Sequence, residues 1–274
     1  MNNIEYHFFP GGAKRCVTFS YDDARIEDKR LVELFNKYNL KSTFHINGNN
    51  WQHRFDFLAR DNAQFVDPSE YKELYTGHEI SCHLEHHPFI KKIPRESLVS
   101  EIYMNRRYLE EICGYPIRGM SNPFGSTTEE AIDIFKACGM EYARNVASIN
   151  SFPLPWDFMN WCPTCHHDDA MSYIDSFFEN DFFPEMKLFY IWGHSYEINT
   201  EEKWSYMENL CSSLANKDDT WYATNIEIVD YLNAMKGLKF TLDLSQVYNP
   251  SAISVWISVN GKPVEIKSGE RKAL

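Results

Sequence analysis

From residue 15 to about residue 236 the chain alternates short apolar runs with longer stretches of helical spacing. Segments 15–19, 41–47, 79–82, 117–120, 141–145, 187–192 and 220–224 read as buried strands, being short and apolar. Between them lie helical patterns over 26–38, 51–60, 68–75, 94–113, 127–138, 168–179, 200–215 and 225–236. The first carries Ile26, Leu31, Leu34, Phe35 and Tyr38 on one face. Pro94 suits a helix start, and Thr127 with Glu130 three residues on reads as an N-cap followed by its capping acid. Gly139 suits the stop. A strand followed by a helix re-enters a sheet in parallel through a right-handed crossover. Six or seven such units fit a closed or nearly closed barrel better than a doubly wound sheet. No G-x-G-x-x-G opens a helix, which argues against a dinucleotide site.

After Gly237 the pattern changes. Residues 238–244 and 252–259 alternate apolar with polar, Asn260-Gly261 is a hairpin signal, and 262–266 returns. The expected organisation is a catalytic body over 1–237 and a small antiparallel β appendage over 238–274.

A chain of 274 residues, 43% hydrophobic and 15% aromatic, can bury a full core. Its net charge of −12 argues against nucleic acid and anionic membrane surfaces as partners. The first ten residues lack the basic and apolar regions of a secretory signal, and no run is long enough to span a bilayer. Seven cysteines without framework spacing fit a reducing compartment. The expected location is cytoplasmic.

Chemistry-bearing residues cluster just past the expected strand ends, the functional face of parallel α/β folds. Asp22-Asp23 closes the first strand, His83-Leu84-Glu85-His86-His87 follows the third, and His194 ends Tyr190-Ile191-Trp192-Gly193-His194. One carboxylate and two imidazoles make a three-ligand metal site with a position left for water. The second carboxylate can then act as a base and His194 as an acid. On spacing alone His86 rivals His87 as the second imidazole, since it is three residues from His83 and on the same helical face. An Asp-Asp pair alone is more often a turn, and a His-rich pentad alone is more often surface. Their recurrence at successive strand ends favours chemistry. Two histidines and one carboxylate also serve non-haem iron oxygenases, but the adjacent second Asp favours hydrolysis. Cys162-Pro163-Thr164-Cys165-His166-His167 lacks a second Cys pair and reads as scaffold or site mouth rather than structural zinc. Glu197 reads as a helix-start acid.

These strings resemble the motifs of the NodB-like polysaccharide deacetylases, carbohydrate esterase family 4, across about residues 15–195. Thr18-Phe19-Ser20-Tyr21-Asp22-Asp23-Ala24 is similar to T-F-D-D-G. Gly77-His78-Glu79-Ile80-Ser81-Cys82-His83-Leu84-Glu85-His86-His87-Pro88 is similar to G-H-E-I-x-x-H-[ST]-x-x-H-P. Arg118 to Gly125 resembles the motif with an Arg leading into Pro-[Tyr/Phe]-Gly, and Asp157-Phe158-Met159-Asn160-Trp161 resembles D-x-x-[DN]-W. The resemblance implies a distorted (β/α)7 barrel and metal-dependent removal of an acetyl group from a saccharide. It implies Asp22 as general base, with Asp23, His83 and His87 holding one divalent metal. Zinc is expected first, and cobalt, nickel or iron are alternatives. It further implies His194 as general acid, Arg118 paired with Asp22, and the Phe124 N–H as oxyanion donor. Asp157 would tune His194, with Trp161 packed beside that histidine. The sequence departs from the family at Ala24, at Leu84 and in the longer third motif. Rival readings are hydrolysis of a small amide or imide and sugar binding without catalysis.

Overall fold

The computed structural model describes residues 2–48, 63–125, 127–179 and 185–274. In chain order its strands are β1 (Ile4–Glu5), β2 (Arg15–Asp22), β3 (Ser42–Ile46), β4 (Glu79–Cys82), β5 (Gly119–Ser121), β6 (Tyr142–Arg144), β7 (Cys165–His166), β8 (Lys187–His194), β9 (Thr220–Tyr222), β10 (Lys239–Phe240), β11 (Gln246–Tyr248), β12 (Val255–Val259), β13 (Lys262–Ile266) and β14 (Arg271–Ala273). The main sheet runs β6-β5-β4-β3-β2-β8-β7 and is parallel throughout. Strand β8 pairs with the whole length of β2. The other edge of β2 is shared, with β9 beside Arg15–Val17 and β3 beside Phe19–Asp22. The sheet curls round on itself. Trp161, just before β7, forms a parallel bridge to Arg144 at the far end, through Asn145 N–H to Trp161 O (2.8 Å) and Trp161 N–H to Ala143 O (3.0 Å). This is the expected distorted (β/α)7 barrel.

Burial explains why the strands read as continuous runs rather than alternations. Every residue of β2 and of β3 is buried, as expected where helices cover one face and the barrel interior the other. The helix over Asp28–Lys37 buries Leu31, Val32, Leu34 and Phe35, and Phe35 packs on Phe19 at 4.7 Å between ring centroids. The long helix spans Arg95–Cys113, with Pro94 as N-cap and Gly114 left-handed at its end (φ 77°), the usual use of glycine at a helix stop. The helix over Glu129–Ala137 is capped by Thr128, one residue later than the sequence suggested, its hydroxyl accepting from Ala131 N–H. Strand β7 escaped the sequence reading because two residues carry no period. The segment expected as a helix over 168–179 is a 3₁₀ stretch, His167–Tyr173, running into a short helix, Ile174–Phe178. The helix expected over 51–60 lies outside the described residues. No helix among the described residues is long and apolar enough to cross a membrane.

The end of the barrel opposite the site is closed by a polar network. Glu79, the first residue of β4, accepts from Thr43 Oγ1, Tyr142 OH and the backbone N–H of Ile226, each at 2.8 Å. The last of these places the carboxyl at the N-terminus of the helix over Asn225–Lys236, where the backbone dipole favours an acceptor. Burial still pushes the Glu79 carboxyl up to about 7.

The C-terminal region forms two three-stranded antiparallel sheets, β1-β12-β13 and β10-β11-β14. Asn260 and Gly261 are both left-handed (φ 52° and 81°), as a two-residue hairpin turn requires. The chain's N-terminal strand completes the first of these sheets, a long-range pairing that two residues cannot announce. Val255, Ile257, Ile266 and Val247 pack with Phe9, Leu188, Tyr231 and Leu232 in one cluster, so this β region shares a core with the barrel flank.

Gly119 has no room for a side chain, since a Cβ there would lie 1.9 Å from Cε1 of the buried Tyr142 ring. Gly119→Ala should therefore cost about 1–3 kcal/mol through overpacking, read as a lower urea midpoint at unchanged slope.

Candidate active site

Register alone assembles the first row of the site. Asp22 stands opposite His45 on β3 and opposite His194 on β8. Beyond it Asp23 and Ala24 are both left-handed (φ 82° and 47°). Such backbone turns the chain sharply, so that adjacent carboxylates face different partners.

Asp22 is 3% exposed and points into the barrel mouth. The guanidinium of Arg144, itself fully buried, binds both carboxylate oxygens, and Ser121 Oγ donates to Oδ1 at 3.0 Å. Burial alone would raise this carboxyl, but Arg144, with His83, His45 and His194, holds it well below the usual carboxylate range. Arg144 in turn lies 4.8 Å from the ring centroid of Trp192, which supports it by a cation–π contact.

The tautomer of His83 follows from this arrangement. Ser121 has one hydroxyl proton and gives it to Asp22, which can only accept. Its oxygen, 2.6 Å from His83 Nδ1, must then accept from that nitrogen. The carbonyl of Ser121, 3.1 Å from the same nitrogen, makes the same demand. His83 therefore carries its proton on Nδ1 and turns the Nε2 lone pair toward Asp23 Oδ1, 3.7 Å away. His87 Nε2 lies 3.9 Å from the same oxygen. Burial lowers both histidines to about 4, so both rings are neutral near pH 7. Asp23 Oδ1 is buried without a hydrogen-bond partner among the described residues. Three donor atoms lie within 4.8 Å of one another. Two neutral imidazoles and one orphaned carboxylate oxygen suit a divalent transition metal.

His83 and His87 do not meet across a helix turn, as their spacing suggested. Residues 83–87 form a loop in which Leu84 and His87 are left-handed (φ 63° and 51°), bringing the two rings to 4.7 Å. The loop is pinned from below. Asn47 Nδ2 donates to the carbonyls of His83 and Leu84, and Asn105 Oδ1 accepts from His83 N–H at 2.9 Å. His86 turns away, with its backbone N–H and Nδ1 both held by Glu101 at 2.8 Å. The rival His83–His86 pair is thereby excluded.

His194 Nε2 lies 3.9 Å from Asp22 Oδ2, and its other nitrogen faces Glu197 Oε2 at 3.3 Å. Glu197 also accepts from the His194 backbone N–H (2.8 Å) and pairs with His166 Nε2 (2.9 Å). His166 Nδ1 takes the N–H of Asp168, so Nε2 is the donor toward Glu197. Burial opposes charge on His194, but Glu197, Asp23 and Asp22 together raise it above the ordinary histidine value. The Trp192 ring packs on His194 at 5.6 Å.

Three expected roles are corrected by position. Arg118 precedes β5 and so sits at the opposite end of the barrel from Asp22. It binds Glu141 at 2.6 Å and Asp230 at 2.6 and 3.0 Å. Arg144, at the C-terminal end of β6, takes its place. Asp157 accepts from Met159 N–H at 2.9 Å and caps the turn over Phe158–Asn160, while Glu197 stands behind His194. Likewise Trp161 packs on Tyr190 and Tyr142, leaving Trp192 beside the histidine. Two of the replacements carried a readable signal, because Arg144 is a charge closing an apolar strand and Glu197 lies one turn beyond His194. Phe124 is where the motif placed it, left-handed (φ 57°) and 45% exposed, edge-on to His87 at 4.5 Å and stacked on Phe89 at 3.8 Å.

Comparisons with known proteins bear on the family and the fold. The polysaccharide deacetylase family model matches residues 10–143. In fold, the chain is similar to a provisionally assigned polysaccharide deacetylase from Mycobacterium smegmatis, with a TM-score of 0.62 at 14% identity over 83% of this chain and 93% of that one. It is also similar to a mutant, with restored enzymatic activity, of a family 4 pseudoenzyme from Bacillus anthracis, with a TM-score of 0.51 at 16% identity over 81% and 69%. The esterase domain of a multidomain xylanase from the hindgut metagenome of Trinervitermes trinervoides gives 0.51 at 12% identity over 82% and 93%. No curated protein matches the sequence. Residues 10–143 thus match the polysaccharide deacetylase family, and the barrel is the fold that these solved structures share.

Arg144→Met should leave a buried carboxylate without its counter-charge and lower kcat on the order of 100-fold or more. Arg118→Met should leave kcat within about threefold, since it breaks only half-exposed pairs remote from the mouth. Steady-state kinetics on the two purified variants separates the arginines. Glu197→Gln removes the negative charge that favours protonated His194, so the high-pH limb of kcat/KM should move to lower pH. An unmoved limb would detach Glu197 from the acid.

Proposed function

We propose that the chain is a metal-dependent hydrolase that removes an acetyl group from an N- or O-acetylated saccharide. The observation supporting this is the grouping, at one barrel mouth, of an arginine-held carboxylate, a three-donor metal cradle and a histidine backed by a carboxylate. A divalent cation held by Asp23, His83 and His87, zinc in the first instance, would supply the Lewis acidity that makes a nucleophile available at neutral pH. Asp22 accepts the proton of the attacking water. Arg144 keeps it ionised, and Ser121 and Arg144 together fix its orientation. The Phe124 N–H is the proposed donor to the developing oxyanion. His194 returns a proton to the leaving group from Nε2, because its Nδ1 is turned to Glu197. The catalytic body is taken as 1–237 and the region over 238–274 as a cover on its flank.

Acetate release from chito-oligosaccharides, measured beside metal content, tests the assignment. Asp22→Asn should keep about one equivalent of metal and lose roughly 10²–10⁴-fold in kcat. His83→Ala should lose the metal itself. Near wild-type turnover in the first variant would remove the base, and full metal retention in the second would remove the ligand set.

A further inference from the structure

Arg25 lies at this mouth and acts on Asp23 only through space, holding no carboxylate by a direct ion pair among the described residues. It follows the Asp23–Ala24 turn and is 9% exposed. Its guanidinium lies between two aromatic rings, 4.6 Å from the Tyr196 centroid and 5.2 Å from that of Phe65. Tyr196 in turn packs on His194 at 5.0 Å, so Arg25 stands one ring beyond the proposed acid. Arg15, Arg30, Arg106, Arg107, Arg118 and Arg144 each hold a carboxylate. Arg25 forms no hydrogen bond or ion pair through its side chain among the described residues, and its Nε is a buried donor without a partner there. In a chain with 39 acidic and 27 basic residues, carboxylates are not scarce.

A buried, unpaired guanidinium is costly, and two rings over its faces compensate only part of the lost hydration. The buried Nε is closed to a ligand, which leaves the fork of the two Nη groups as the donors a carboxylate can reach. That fork matches a carboxylate two bonds at a time. We infer that Arg25 is a recognition site for a carboxylate on the leaving-group half of the substrate. The side follows from Tyr196, because the group that His194 protonates departs toward it. The preferred substrate is then an acetylated amine whose amine portion is anionic, either an acidic amino sugar or an amino acid. This rests on the deacetylase reading above and narrows it.

The test compares kcat/KM within two matched pairs. One pair is an N-acetylated amino sugar with and without a carboxylate, and the other is an N-acetyl amino acid and its carboxamide. The wild-type chain should prefer the charged member of at least one pair by about 10- to 100-fold. Arg25→Met should bring that ratio near one, and Arg25→Lys, which keeps the charge without the fork, should fall between. Which pair shows the preference identifies the source of the carboxylate. A wild-type ratio near one in both pairs overturns the inference, as does a ratio that survives in Arg25→Met. So does an equal loss on both members accompanied by loss of metal, which would make Arg25 a support of Asp23 only. If neither pair is hydrolysed, the deacetylase reading fails by itself. Calorimetric binding of the free acidic amines then decides the Arg25 site, with binding lost in Arg25→Met supporting it and no binding to the wild type overturning it.

Discussion

A carboxylate buried at the mouth of a parallel barrel is the constraint on which the rest of this site depends. Asp22 is almost wholly removed from water, where an isolated charge would be neutralised rather than tolerated. Arg144 prevents that, and its own burial is tolerable only because Trp192 covers it and Asp22 answers its charge. The pair then propagates order outward. With Asp22 fixed as an acceptor, Ser121 must donate to it. Ser121 must then accept from His83, which fixes the tautomer that points a lone pair at Asp23. One ion pair thus sets the protonation of a residue in the loop after another strand, with no direct bond between them.

How much of this was legible in the sequence depends on whether a signal is local. The individual strand and helix segments, the Asp pair and the His83–His87 spacing were readable because each lies within one short segment and follows a period or a motif. The pairing of Asp22 with Arg144 was not, since it joins positions 122 residues apart across the barrel mouth. A motif-based reading offered Arg118 instead, three residues before the strand end where the chemistry is. The strand's direction alone argued against it, because Arg118 precedes β5 and the functional ends of parallel strands are their C-termini. The elements that escaped notice, β1, β7, β11 and β14, have two or three residues each. They are stabilised by pairing with distant strands rather than by their own composition. The loop over 83–87 shows the converse limit. The spacing that brings its two histidine rings together was readable and its conformation was not, because i, i+4 histidines can also meet when residues between and at the ends turn left-handed.

The His194 side of the site is organised differently from the Asp22 side. The counter-charge of Asp22 comes from across the barrel, while that of His194 comes from three residues downstream, through a 3₁₀ turn in which the Glu197 carboxylate also receives the His194 backbone N–H. A local pair of this kind is insensitive to how the loop over 146–163 is arranged. Asp157 is accordingly free to cap its own turn. His166 then braces Glu197 from the next strand, giving the Cys165-His166-His167 segment a place beside His194. Gly193 is the geometric condition for that brace, because a Cβ there would fall 2.0 Å from Nδ1 of the His167 ring packed beneath. The environment of His194 is therefore carried by two adjacent strand ends.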